Sequence, residues 1–236
     1  MAQGAKYSLA NVELLSELSP DSLATLEKRA RFRRYLAKEL VFDLESGGTE
    51  VYFIVAGKVQ VVNYSPTGRE ISFAQVPAGG YIGELSAIDG RPRSATIVAV
   101  EDTTLASIAA GAFKAMLLDY PHTALDVLQR LSAMVRAGDE RIMDLTTLSA
   151  INRVHTEILR MSVADDNEDN TALISPIPTH SEVAARASTT RETVSRVLSQ
   201  LARVFILERA DKALRILDLE RLKDMIEAVD KGAENY

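Results

Sequence analysis

The stretch GELSAIDGRPRSATIVA at residues 83–99 collects groups suited to the two halves of one ligand. Gly83 lets backbone approach closely, and the N–H groups that follow it can converge on an anion. Arg93 offers a rigid fork of donors that fits phosphate oxygens, and Ser94 adds a hydroxyl. Glu84 is an acceptor, which a phosphate does not want and a sugar hydroxyl does. One acceptor beside several donors describes a nucleotide held by its sugar-phosphate. A glutamate and an arginine nine residues apart also make an ordinary surface ion pair, and that plainer reading stands beside the first.

The same residues carry a resemblance. Gly83, Glu84, Leu85, Arg93, Ser94 and Ala95, with Ser86 among them, match the phosphate-binding cassette of cyclic-nucleotide-binding domains. The resemblance implies that Glu84 takes the ribose 2′-hydroxyl and Arg93 the cyclic phosphate.

A second constellation lies at 179–201, THSEVAARASTTRETVSRVLSQL. Thr179 and Glu182 form a capping-box pattern that starts one short helix. Thr189 and Glu192 repeat it after a break at Ser188-Thr189, and Val194, Val197, Leu198 and Leu201 give the second helix a buried face. Two short helices and a tight turn make a helix-turn-helix. The polar face of the second helix, beginning at Thr190, carries Arg191, Glu192, Ser195 and Arg196. Arginine pairs bidentately with guanine and glutamate accepts from cytosine, and the first residues of a recognition helix reach base edges.

Arg191, Glu192, Thr193, Val194 and Arg196, with Thr179 and Glu182, resemble the recognition region of the Crp-Fnr transcription regulators. Residues 205–218 resemble a β-wing, whose Arg209 and Lys212 suit phosphates. The resemblance runs from about residue 15 to 230. It implies an α+β chain with an N-terminal antiparallel β-roll (the cyclic-nucleotide-binding fold) over 1–121, a long dimerisation helix over 122–149 and a winged helix-turn-helix over 150–236. It further implies a homodimer on a palindromic double-stranded DNA site with TGTGA-like half-sites, control by cAMP or cGMP, and RNA polymerase as a partner. The alternative is a regulator of the same build that needs no mononucleotide or senses another signal such as cyclic di-GMP. Four positions depart from the family. Ser188 and Phe205 stand where glycine is usual, and Gly138-Asp139 replaces the Thr-Ser pair that reads adenine. Asp139 is an acceptor suited to the donors of guanine, or simply faces solvent.

These residues need elements to position them. Ser19-Pro20 reads as a helix start. From about Glu39 come six short β-rich runs: LVFDL, EVYFIVAG, KVQVVNY, REISFAQV, ATIVAVED and TTLASI. They are separated by Gly47-Gly48, Ser65-Pro66-Thr67-Gly68 and Pro77-Ala78-Gly79-Gly80, which suggests a compact antiparallel barrel or sandwich. A long helix follows Pro121. Leu128, Leu131, Val135, Gly138, Ile142, Leu145 and Ser149 form a heptad seam on it for a second copy, and Leu125, Met134, Met143 and Leu148 form a face for its own domain. DDNEDN at 165–170 reads as a solvated connection.

Composition narrows the classes. The net charge is −6, yet residues 183–215 hold seven basic residues against three acids. There is no cysteine, which removes disulfides and cysteine-ligated iron–sulfur clusters. His122, His155 and His180 all lie outside the β-rich region where a haem ligand is expected, and each reads as a helix-end or surface residue. No metal, haem or cluster is therefore expected. Hydrolysis of a cyclic nucleotide needs an activated water, and the cassette offers Glu84 without a metal cluster, so no enzyme is expected. The N-terminus lacks a signal-peptide pattern and no apolar run nears the roughly 18 residues of a membrane span, so a cytoplasmic protein with no membrane partner is expected.

Overall fold

A computed structural model describes residues 7–65, 70–165 and 168–233. Most of the expected turn at Ser65-Pro66-Thr67-Gly68, and Asp166-Asn167 of the acidic run, lie outside the described residues. The chain divides into two compact units, 1–135 and 136–236.

In the first unit, α1 (Pro20–Arg29) opens as expected: the Ser19 hydroxyl accepts from the Ser22 N–H and Pro20 takes the first helical position. Eight strands follow: β1 (Arg31–Tyr35), β2 (Leu40–Phe42), β3 (Val51–Ala56), β4 (Lys58–Tyr64), β5 (Glu70–Pro77), β6 (Tyr81–Ile82), β7 (Thr96–Ala99) and β8 (Thr103–Ile108). They form two antiparallel sheets, β1-β8-β3-β6 and β2-β7-β4-β5. The sheets close on Tyr35, Ile54, Val59, Ile97 and Leu105. The other face of the first sheet, Val51, Phe53, Ala106 and Ile108, packs on Leu14, Leu26, Phe113, Met116 and Val127. β3 is thus used on both faces, so its sequence is a continuous apolar run instead of an alternation. The helix α2 (Glu84–Asp89) interrupts the connection from β6 to β7, and α3 (Ala110–Asp119) follows β8.

The long helix α4 spans Pro121–Thr147. The residues that bury it differ from those expected. Thr123 and Val127 are buried, and Leu131 packs partly on the first unit's core. Leu125, Met134 and Met143 are exposed, so they are not the face it turns to its own domain. Leu128, Val135, Ile142 and Leu145 of the seam are exposed too.

The second unit contains α5 (Ala150–Met161), β9 (Val163–Ala164), β10 (Ala172–Ile174), α6 (His180–Arg186), α7 (Arg191–Arg203), β11 (Leu207–Ala210), β12 (Ala213–Ile216) and α8 (Leu219–Ala233). Its sheet order is β11-β12-β10-β9, and its core joins Val154, Ile158, Val183, Val194, Leu201, Ile206, Ile216 and Leu222. The acidic run is more than a solvated connection. Asp165 and Glu168 both pair with Arg215, which removes that arginine from the basic surface.

Both α6 and α7 end in the same way. The Thr189 N–H reaches Ala184 O, and the Ile206 N–H reaches Leu201 O, each a six-residue closure around a residue with positive φ. Those residues are Ser188 (φ 50°) and Phe205 (φ 55°), the two positions where glycine is usual in the family. A left-handed conformation costs a non-glycine residue roughly 1–2 kcal/mol. Phe205 recovers little of this by burial, being 79 % exposed. Phe205→Asn is therefore expected to stabilise the chain by about 0.5–1 kcal/mol. A higher urea midpoint at unchanged slope is the expected reading, and an unchanged or lower midpoint contradicts the strain.

His155 also departs from expectation. It sits in the middle of α5, 3 % exposed, and its Nδ1 has no partner among the described residues. Burial pushes its pKa below the ordinary histidine value. The folded state thus favours the neutral ring, and stability is retained above the unfolded pKa of about 6.5 and lost as pH falls through it. Denaturation at pH 7.5 and pH 5.5 is expected to show this loss, and His155→Phe to reduce it.

Candidate functional site

The cassette folds into a compact hook. β6 delivers the chain to Gly83, whose φ of 86° is left-handed and serves as the N-cap of α2. A Cβ there would lie 2.6 Å from Arg93 Nη1 and 2.7 Å from Glu50 O, so only glycine fits. Glu84 is the first residue of α2 and is 5 % exposed, with Ser86 buried two residues on. Residues 84–89 form a six-residue helix. The chain leaves α2 at Gly90 and returns past the helix: Ser86 Oγ donates to Pro92 O at 3.3 Å. Ala95 is buried, Ser94 is exposed and Leu85 is half-buried.

Arg93 is the centre of the hook. It is 3 % exposed, and its guanidinium carbon lies 4.2 Å from the Phe42 ring centre and 5.7 Å from that of Tyr52. Nη1 donates to Gly83 O at 3.2 Å and Nη2 to Glu50 Oε2 at 3.3 Å, while Nε is buried with no partner among the described residues. Burial lowers the Arg93 pKa, opposed by Tyr52, Glu50 and Glu84. A buried cation with long bonds and an orphan N–H is an under-satisfied group. Glu84, Ser86 and Arg93 are thus brought together around Gly83. Asp139 is exposed on α4 and belongs to the second unit.

The helix-turn-helix is built from local chemistry. Thr179 and Glu182 make both bonds of the capping box at the start of α6. α7 is capped by Thr190, which accepts from the Thr193 N–H, not by Thr189. Thr189 is buried and its N–H closes the end of α6, so the next threonine takes the cap. Val194, Val197 and Leu201 are buried as expected. Arg191, Glu192 and Arg196 are exposed on the opposite side and Ser195 is half-buried. Its own backbone N–H, then the Thr190 hydroxyl, hold the Glu192 carboxyl below its ordinary pKa, with Arg191 and Arg196 adding to this. Glu192 is ionised, and therefore an acceptor, at neutral pH. Arg209 is exposed on β11 and Lys212 is exposed in the turn to β12.

Two residues that set this geometry were not legible in the sequence. Arg153 donates to Ala187 O (2.9 Å), Ser188 O (3.3 Å) and Leu148 O (2.9 Å). Arg141 donates to Ala185 O (3.2 Å) and Ser188 Oγ (3.1 Å). Together they hold the turn between α6 and α7 against the end of α4 and the start of α5. Arg186, part of the basic count, is paired with Glu157.

Residues 32–120 match the cyclic nucleotide-binding domain family, and residues 152–225 the Crp-like helix-turn-helix domain. The chain is 25% identical over 215 residues to a CRP-like cAMP-activated global transcriptional regulator of Mycobacterium tuberculosis, covering 91% of this chain and 96% of that one. It is 28% identical over 214 residues to the cyclic AMP receptor protein of Thermus thermophilus, covering 90% and 95%. A solved CooA variant from Carboxydothermus hydrogenoformans shares the fold with a TM-score of 0.76 at 22% identity, covering 95% and 98%. A cyclic-nucleotide-type roll, a long helix and a winged helix-turn-helix in this order place the chain in the Crp-Fnr family of DNA-binding transcription regulators.

Proposed function

We propose that this chain is a homodimeric regulator whose DNA binding is controlled by a cyclic mononucleotide. The observation that carries the ligand reading is the buried, under-satisfied guanidinium of Arg93, bonded to Gly83 O where the helix that begins with the buried Glu84 starts. Arg93 takes the cyclic phosphate and Glu84 a ribose hydroxyl, with Gly83, Leu85, Ser86, Ser94 and Ala95 shaping the hook. The acceptor at Asp139 is the sequence feature that favours guanine at least as much as adenine. Parallel calorimetric titration with cAMP, cGMP and cyclic di-GMP tests the reading. Tight binding of a mononucleotide is expected; a response to cyclic di-GMP alone selects the other member of the class.

On DNA, a symmetric pair of α7 helices demands a palindrome with half-sites about 34 Å apart. Arg191 and Arg196 are assigned to guanines and Glu192 to a cytosine, with Ser195 beside them. Thr179, Arg209 and Lys212 are assigned to the backbone. RNA polymerase is the partner a regulator so placed addresses. Glu192→Ala is expected to relax preference at one base pair by about 1–3 kcal/mol. Lys212→Ala is expected to weaken all sequences alike and to flatten the salt dependence. Selection on randomised palindromes reads both, and an unchanged preferred site in Glu192→Ala removes α7 as the reader.

A further inference from the structure

The loop between β2 and β3 runs directly alongside the cassette. The Glu45 N–H donates to Arg93 O at 3.0 Å, the Arg93 N–H to Ser46 O at 3.4 Å, and the Thr96 hydroxyl to Asp43 Oδ1 at 2.6 Å. This loop ends at Glu50, and its carboxylate is the acid that meets the Arg93 guanidinium. The two partners are unlike in their freedom. The Arg93 side chain is buried and stacked on Phe42, whereas the Glu50 side chain is 49 % exposed. Their separation of 3.3 Å is longer than the 2.7–2.9 Å of a strong charge-assisted bond. The arginine is fixed, whereas the half-exposed acid can turn into water once another anion takes its place on the buried guanidinium.

Space at the contact fits this. A Cβ at Gly48 would lie 3.1 Å from Glu50 Oε2 and 3.4 Å from Arg93 Nη2, so the backbone keeps side-chain bulk away from that edge of the guanidinium. A phosphate that reached Nη2 would meet the Glu50 carboxylate in its place. Two anions cannot share one donor in a poorly hydrated site without strong repulsion.

We propose that Glu50 is a built-in competitor for the ligand's phosphate: it neutralises Arg93 in the free protein, and a ligand binds by exchanging its own anion for the Glu50 carboxylate. This rests on the reading of the cassette as a cyclic-nucleotide site and adds a specificity rule to it. A small anion gains only the contacts Glu50 already supplies, so it displaces Glu50 poorly. A nucleotide adds sugar and base contacts and overcomes the exchange. Glu50 is in this sense a specificity-determining residue that rejects free phosphate.

The test compares the full chain with Glu50→Gln, which keeps size and loses charge. Calorimetric titration with cAMP and cGMP is expected to show about tenfold tighter binding in the variant. Inorganic phosphate is expected to raise the melting temperature of Glu50→Gln and not that of the wild type. Equal nucleotide affinity in the two proteins overturns the role of Glu50 and leaves the cyclic-nucleotide reading intact. Weaker binding in Glu50→Gln overturns it as well, since Glu50 then holds Arg93 in place for the ligand. If neither protein binds either nucleotide, and phosphate shifts Arg93→Met, wild type and Glu50→Gln alike, the cassette reading itself falls and the inference with it.

Discussion

Replacing Arg93 by methionine is expected to weaken cyclic-nucleotide binding by about 2–4 kcal/mol, which is roughly 30- to 1000-fold. The magnitude follows from what the side chain is positioned to do. A guanidinium that is 3 % exposed cannot be replaced by water when it is removed, so the ligand phosphate would be left buried and underpaired. Methionine keeps much of the packing against Phe42, which alanine would give up, and so separates binding from folding. Arg93→Lys is expected to recover only part of the loss, because a point charge does not reproduce a planar fork. Glu84→Gln is expected to cost less, since one sugar contact is weakened and no charge is left unpaired. Calorimetry with each variant, alongside its melting temperature, gives the answer. Binding by Arg93→Met within threefold of wild type would show that the phosphate sits elsewhere.

The residues of the hook were visible in the sequence because they are close in the chain and each type is chemically distinctive. The helix-turn-helix was visible for the same reason: Thr179 with Glu182 is a local pattern, and the structure makes both of its bonds. What escaped detection depended on distance along the chain. Glu50 is 43 residues from Arg93, and nothing in a glutamate's flanking sequence announces its partner. Arg141 and Arg153 reach the Ala185–Ser188 turn from 34 to 47 residues away.

Secondary structure failed where tertiary context decides. β1 has the sequence RFRRY, too basic to read as a strand, yet it pairs with β8 from Arg31 opposite Ser107 to Tyr35 opposite Thr103. α2, at six residues, is too short to show a helical period. On α4 the spacing identified the apolar positions but not which partner each one meets. Val127 took the contact expected of Leu125 and Met134, because burial follows the angle at which the helix crosses the roll, and the repeat does not encode that angle.

That distribution of contacts shapes the second large effect. Introducing glutamate at both Val135 and Ile142 is expected to dissociate the proposed dimer by at least about 100-fold. Val135 is 64 % and Ile142 60 % exposed, and with Leu128 they recur every seven residues along α4, with Leu145 beside them. An exposed apolar row of this length on one helix is best buried by the same row of a second copy, which presents an identical surface under two-fold symmetry. In such a pairing both copies contribute both substitutions, so the double variant would place four carboxylates in the interface. Leu131 is a poor choice for this experiment, although it lies on the seam. It packs partly on the first unit's core, and a charge there would disturb the roll as well as the pairing. Gln129→Glu, exposed and one residue away from the row, is the control for added charge on the helix. Sedimentation across a concentration series is expected to give a monomer for the double variant and a dimer for the control and wild type. Affinity for a palindromic site is expected to fall by about 10²–10⁴-fold, because the second half-site is then no longer held at high effective concentration. Affinity for a single half-site should be little changed, since α7 and its cap at Thr190 are far along the chain from either substitution. A double variant that still sediments as a dimer at the wild-type concentration would mean that the row on α4 is not the interface.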